Sequence, residues 1–314
     1  MTILMKSKII SHIEEQGYMR RGIGRTFFRR LSPANARKGT PLFILHGGPG
    51  ATHETYYEIL SLADDREVVI YDQVGCGRSD RIKGKYWAIK TFVQELEALR
   101  VALGHGKIDL LGHSWGSMLA SEYYFSYPKN VRGIVFSSSC LDAKQWTTDA
   151  QRLIKQLPAR HQKAIATALR TKKYDGKAFK AANKAYGEKY IVRNVGKGAH
   201  PQHAIKLMAA GLAVDGYMKM WGPTEYIATG LLRKFNRAKD LPGIRVPTLF
   251  TCGRYDEATP ETIRKHASIV PGAKFHVFEK SSHLCTLEEP REYVKIIGGF
   301  LRQVDKQNMG DKGR

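Results

Sequence analysis

The chain has 314 residues, 42% of them hydrophobic, a length that supports one large domain or one domain carrying an insertion. No run approaches the ~18 apolar residues of a membrane-spanning helix, and residues 1–16 lack the apolar core of a signal peptide, so neither a membrane partner nor an exported protein is expected. The 51 Lys and Arg against 29 Asp and Glu give +22, but no nucleic-acid motif accompanies this charge and the lysines are scattered singly, so a solvated basic surface is expected rather than a nucleic-acid partner.

In chain order, residues 17–31 hold β-compatible pieces that suggest an antiparallel hairpin at a sheet edge. The run 41–45, Pro-Leu-Phe-Ile-Leu, reads as a short buried strand ending in the tight loop His46-Gly47-Gly48-Pro49-Gly50. A second buried strand, 67–72, is closed by the turn-rich Gly75-Cys76-Gly77-Arg78-Ser79-Asp80, and a helix over about 91–103 leads to the apolar run 108–111. Residues 131–138 form a further strand. This alternation implies a mostly parallel sheet covered by helices on both faces. From about 141 to 240 strand-like runs disappear, and 20 Lys and Arg face only 7 Asp and Glu. This stretch reads as an inserted helical cap, dividing the chain into a first core part (1–140), a cap (141–240) and a second core part (241–314). The earlier rhythm then returns with a strand at 246–252, a helix at 260–269, a strand at 274–278 and a closing helix at 289–303.

The strand at 108–111 runs into Gly112-His113-Ser114-Trp115-Gly116, a G-x-S-x-G pattern followed by helix-compatible residues. A serine at a sharp strand-to-helix turn is held in a strained conformation with its hydroxyl above the sheet, which makes Ser114 the candidate nucleophile. Such a serine needs a general base and a group to orient it, in the chain order Ser, acid, His, each just past a strand end. Asp256 and His283 occupy those places; Glu257 is the competing acid, and His113, inside the elbow, the competing histidine. An oxyanion needs two backbone donors: the N–H of Trp115, after the nucleophile, and one from the loop 46–50. Cys76, Cys140, Cys252 and Cys285 lack metal-ligand spacing and are too sparse for a disulfide framework, so free thiols in a reducing cytoplasm and no metal site are expected.

Taken together, His46-Gly47-Gly48-Pro49-Gly50, Asp72-Gln73-Val74-Gly75-Cys76-Gly77-Arg78-Ser79, Gly112-His113-Ser114-Trp115-Gly116, Gly253-Arg254-Tyr255-Asp256 and Ser282-His283 resemble the proline iminopeptidase family of α/β-hydrolases. Within it the chain is similar to the tricorn-interacting aminopeptidase type, through the D-Q-x-G-C-G-R-S turn and Trp221-Gly222-Pro223-Thr224-Glu225-Tyr226. The resemblance covers nearly the whole chain and is weakest between about 142 and 218. It implies the α/β-hydrolase fold, with the cap inserted after the strand that follows the nucleophile helix. It also implies release of single residues, often proline, from peptide N-termini without cofactor, with Gly48 as the loop contributor to the oxyanion hole. By the same resemblance Glu225 matches a cap glutamate that holds the substrate's α-ammonium group, a task suited to a partly buried carboxylate. A second acid normally comes from earlier in the cap; Glu188 is the nearest upstream candidate, and an ordinary solvated helix residue is its equal alternative. The alternatives to an aminopeptidase are an esterase, amidase or lactonase using the altered cap for another acyl substrate, and a non-catalytic binding protein on the same scaffold. An epoxide hydrolase or dehalogenase would want aspartate where Ser114 stands. The sequence leaves the oligomeric state open.

Overall fold

The computed structural model describes residues 7–9, 12–34, 39–194 and 199–310. Among these, nine strands form one sheet in the order β1-β2-β3-β5-β4-β6-β7-β8-β9. The strands are β1 (Ser7–Ile9), β2 (His12–Arg21), β3 (Gly24–Pro33), β4 (Leu42–Leu45), β5 (Val68–Tyr71), β6 (Ile108–His113), β7 (Val131–Ser137), β8 (Thr248–Gly253) and β9 (Lys274–Phe278). β2 is antiparallel to both β1 and β3, and β3 is antiparallel to β5, while every pairing from β5 through β9 is parallel. The expected edge hairpin is therefore present, and longer than its β-compatible core suggested.

Parallel strands covered on both faces should be apolar without alternation, and β4, β5, β6 and β8 are buried at every residue. Alternate side chains still go to different cores. Phe43, Leu45, Val69, Leu110 and Phe136 face a layer containing Phe92 and Leu96 of α1 (Ile89–Ala102) and Met118 and Leu119 of α2 (Trp115–Ser126). Leu42, Ile44, Val68, Ile70 and Val135 point the other way, against Tyr56, Ile59 and Leu62 of a 3-10 segment (His53–Asp64) and a C-terminal helix bearing Tyr293 and Ile297.

Among the described residues between β7 and β8 lie five α-helices: α3 (Ala143–Ile154), α4 (Ala159–Thr171), α5 (Lys177–Tyr190), α6 (Ala199–Gly211) and α7 (Val214–Met220). Asp142 caps α3 by accepting from the N–H groups of Lys144 and Gln145, satisfying donors that a helix start leaves unpaired. Ile154, Ile165, Phe179, Ala182, Tyr186, Tyr190 and Tyr226 give this cap its own small core. The chain then closes with α8 (Pro260–Ile269), α9 (Cys285–Glu288) and α10 (Pro290–Gly310). The loops at the C-terminal ends of the parallel strands are where open α/β sheets bind ligands, and the one after β9 bonds to residues 190–191 at the end of α5.

Candidate active site

Ser114 sits between β6 and α2 with φ 54° and ψ −121°, a left-handed conformation that costs a non-glycine residue on the order of 1–3 kcal/mol. The flanking glycines make that turn possible. A Cβ on Gly112 would lie 2.4 Å from the Gly116 carbonyl oxygen, and one on Gly116 only 2.1 Å from that of Leu45. The Ser117 hydroxyl braces the elbow, donating to the Ser114 carbonyl (2.5 Å) and accepting from the Cys140 N–H (2.9 Å).

His283 follows β9 and directs Nδ1 at Asp256 Oδ1, 2.7 Å away. Two backbone N–H groups hold the Asp256 carboxylate, Ala258 on Oδ1 (2.8 Å) and Gly253 on Oδ2 (3.2 Å). The competing residues stand elsewhere. His113 uses Nε2 to donate to the His283 carbonyl (2.9 Å), and burial, aided by the neighbouring His283, lowers it to about 3, so it is a neutral strut. For His283 itself, burial pulls the pKa down but Asp256 more than reverses this, and with Glu257 and Glu225 adding to the effect it rises to about 9. The loop bearing His283 is also tied to the cap through main-chain bonds: His283 N–H to Tyr190 C=O (3.2 Å) and Leu284 N–H to Ile191 C=O (3.1 Å).

A cavity of about 360 Å³ gathers these groups; Gly48, Ser114, His283, Glu225 and Glu257 all line it. Its remaining walls are largely apolar, with Ile191, Met208, Leu212 and Leu284 among them. Gly48 adopts φ 110°, open only to glycine at low cost, and Trp115 begins the helix whose N-terminus favours negative charge.

Glu257 does not orient His283. It is 1% exposed, and its carboxyl lies beside the Tyr186 hydroxyl, as that of Glu225 lies beside the Tyr217 hydroxyl. Burial pushes Glu257 well above the ordinary carboxylate range, and the Glu225 charge pushes it further. Burial raises Glu225 too, against the opposing influence of Tyr217 and His283. Two carboxyls whose pKa values are raised thus face one cavity, an arrangement with the chemistry to pair with a cationic group of a ligand.

Glu188 is not part of it. Its side chain is 65% exposed and lies 3.6 Å from Lys184. Asn183 and Gly187 on α5, with Ile191 just past its end, face the cavity at i, i+4, i+8; Glu188 is turned about 100° away, onto the solvent side. The expectation of a second acid at Glu188 is thus corrected, and the second acid at the cavity is Glu257. Its signal was in the sequence, as the acid directly after Asp256, but side by side the two read as rivals for one role.

The alpha/beta hydrolase fold family matches residues 40–290. A proline iminopeptidase of Heyndrickxia coagulans is 40% identical over 90% of this chain and 96% of its own length. The chain belongs to the proline iminopeptidase family of α/β-hydrolases. That membership brings serine-hydrolase chemistry of the exopeptidase type. Among solved structures of this likeness, proline iminopeptidase from Mycobacterium smegmatis superposes with a TM-score of 0.84 at 30% identity, covering 93% of this chain and 99% of that one. VinJ gives 0.84 at 31%, covering 92% and 98%. Among the described residues no helix is long and apolar enough to cross a membrane.

Proposed function

We propose that the chain is an aminopeptidase that releases N-terminal proline, or another small apolar residue, from short peptides. The observation that carries this reading is the pair Glu225 and Glu257, one half-buried and one buried carboxyl, facing the cavity that also holds Ser114 and His283. The free α-ammonium of a peptide answers that pair with charge-assisted hydrogen bonds, and only the first residue then lies within reach of Ser114. Apolar Ile191, Met208 and Leu212 suit a small apolar side chain, and a cavity of about 360 Å³ has little room beyond it.

In this mechanism Ser114 Oγ attacks the scissile carbonyl as His283 Nε2 takes its proton, while Asp256 holds the imidazolium through Nδ1. The tetrahedral oxyanion is received by the N–H groups of Gly48 and Trp115, each worth roughly 3 kcal/mol at the transition state. Collapse expels the shortened peptide's amine, which takes the proton from His283 and leaves an acyl-enzyme. Water repeats the sequence to release the amino acid. Binding the ammonium also weakens the hold of Glu225 and Glu257 on the His283 proton, which favours the neutral imidazole that a base requires.

The proposal places the segment 141–240 as the cap that shapes the cavity, with 1–140 and 241–314 as the two parts of the core. It sets the activity in the cytoplasm, which suits four buried unpaired cysteines. The test is a hydrolysis panel comparing free-amine prolyl, alanyl and leucyl amides with their N-blocked forms and with simple p-nitrophenyl esters. Prolyl amides should lead and N-blocking should abolish their turnover. Equal rates on blocked and free substrates would transfer the assignment to an esterase or amidase.

A further inference from the structure

The turn after β5 contains a residue that touches neither Ser114 nor the cavity, yet reaches both sides of the oxyanion site. Gln73 is fully buried. Its side-chain Oε1 accepts from the indole Nε1 of Trp115 (2.8 Å), and its Nε2 donates to the carbonyl of His46 (3.2 Å). Its backbone N–H donates to His46 Nε2 (3.0 Å). A backbone N–H can only donate, so His46 Nε2 accepts and the ring proton sits on Nδ1, which lies 2.9 Å from the Gly47 carbonyl and donates to it. Burial lowers His46 to about 4, which keeps the ring neutral and this tautomer in place.

The consequence is geometric. The Gly47–Gly48 peptide is planar, so anchoring the Gly47 carbonyl oxygen fixes the opposite direction, in which the Gly48 N–H points. The same glutamine holds the indole of Trp115, whose backbone N–H begins α2. We infer that Gln73 is a positioning residue that sets the spacing and aim of the Gly48 and Trp115 N–H groups. The inference rests on the reading that those two groups receive the oxyanion. An amide suits the position because it alone among neutral side chains offers a strong donor and a strong acceptor on one planar end. The tolerance is small: a misplacement of about 1 Å in a reacting constellation costs on the order of 100-fold in rate.

The test uses two variants of the full chain, Gln73→Met, which keeps the volume and removes both side-chain bonds, and Trp115→Phe, which breaks the brace from the other end. Each is assayed on a prolyl anilide and titrated with two inhibitors. Prolinal adds Ser114 Oγ to its aldehyde carbon, and after proton transfer the hemiacetal oxygen lies where the oxyanion forms; proline binds without one. Both variants should lose about 100-fold in kcat with KM nearly unchanged, and prolinal should weaken by a similar factor while proline does not. A residue that only supports the fold would lower the melting temperature and weaken both inhibitors alike. Should Gln73→Met fail to fold, Trp115→Phe gives the same reading alone. Wild-type ratios of prolinal to proline affinity in the folded variants would overturn the inference while leaving the proposed function intact. If prolinal binds wild type no better than it binds Ser114→Ala, the proposed function fails and the brace falls with it.

Discussion

Replacing Glu257 by glutamine preserves the side chain's shape and removes only its charge and one acceptor oxygen. The wild-type carboxyl is fully buried beside a neutral hydroxyl, that of Tyr186, so a bound ammonium would be its first charged hydrogen-bond partner. A hydrogen bond to a charged group is worth about 1.5–3 kcal/mol, so kcat/KM for free-amine prolyl substrates should fall roughly 10- to 150-fold. The pH profile should move as well. Although burial acts against it, His283 is raised to about 9 by Asp256, with Glu257 and Glu225 contributing. A base must be neutral to accept a proton, so activity rises as pH passes its pKa. Without Glu257 that rise should come at lower pH, and near pH 7 a small neutral ester should be cleaved as well or better than by wild type. The assay is kcat/KM against pH on a prolyl anilide and on p-nitrophenyl acetate. Parallel losses on both substrates with an unmoved pH profile would refute the reasoning and make Glu257 a residue of the fold.

Ser114→Ala should abolish turnover and labelling by a serine-directed phosphonate with the melting temperature little changed; residual turnover above about a thousandth of wild type would end the proposed mechanism. Glu188→Gln should leave kcat/KM within about 2-fold, since its exposed contact with Lys184 belongs to a class worth 0–1 kcal/mol; a larger, amine-selective loss would place it in the site after all. Glu95 is buried, which raises it from 4.5 to about 7 despite hydrogen bonds from the Thr26 hydroxyl and the Val74 N–H. The folded state then binds the proton more tightly than the unfolded one. Its contribution to stability is complete below about pH 4.5 and is lost as pH rises through 7, amounting to at most ~3 kcal/mol. Urea unfolding at pH 5 and pH 8 should show that loss in wild type relative to Glu95→Gln; an identical pH dependence in the two proteins would contradict it.

The places of Ser114, Asp256 and His283 were legible because each follows a strand end, and strand ends announce themselves through short apolar runs followed by turn residues. The hairpin and the return of strand–helix alternation after residue 240 were legible for the same reason. The segment His53–Asp64 was not. It is a 3-10 segment with a period near three, so Tyr56, Ile59 and Leu62 repeat at intervals that match neither an α-helix nor a strand. The acids of the cavity were half legible. Glu225 sits in a recognisable cap motif, whereas Glu257 and Glu188 differ only in which way the backbone turns them, and that is settled by packing. Gln73 lay in a motif too, but its work depends on His46 and Trp115 arriving from distant parts of the chain.

The seam between α5 and the loop of His283 is made of backbone bonds, Tyr190 to His283 and Ile191 to Leu284. Main-chain groups are the same in every residue but proline, so the seam is indifferent to which side chains the cap carries. The helices between β7 and β8 could exchange nearly all their surface, lysines included, and still hold His283 in register, so long as a helix ended at the same height. This offers a route to redesign on the proposed function: the cavity walls on α5 and α6 can be rewritten by substitution, while an insertion or deletion of one residue between Gly187 and Ile191 would shift His283 itself. New substrates would then be sought by substitution in this cap, and changes of length kept to the turn between α4 and α5.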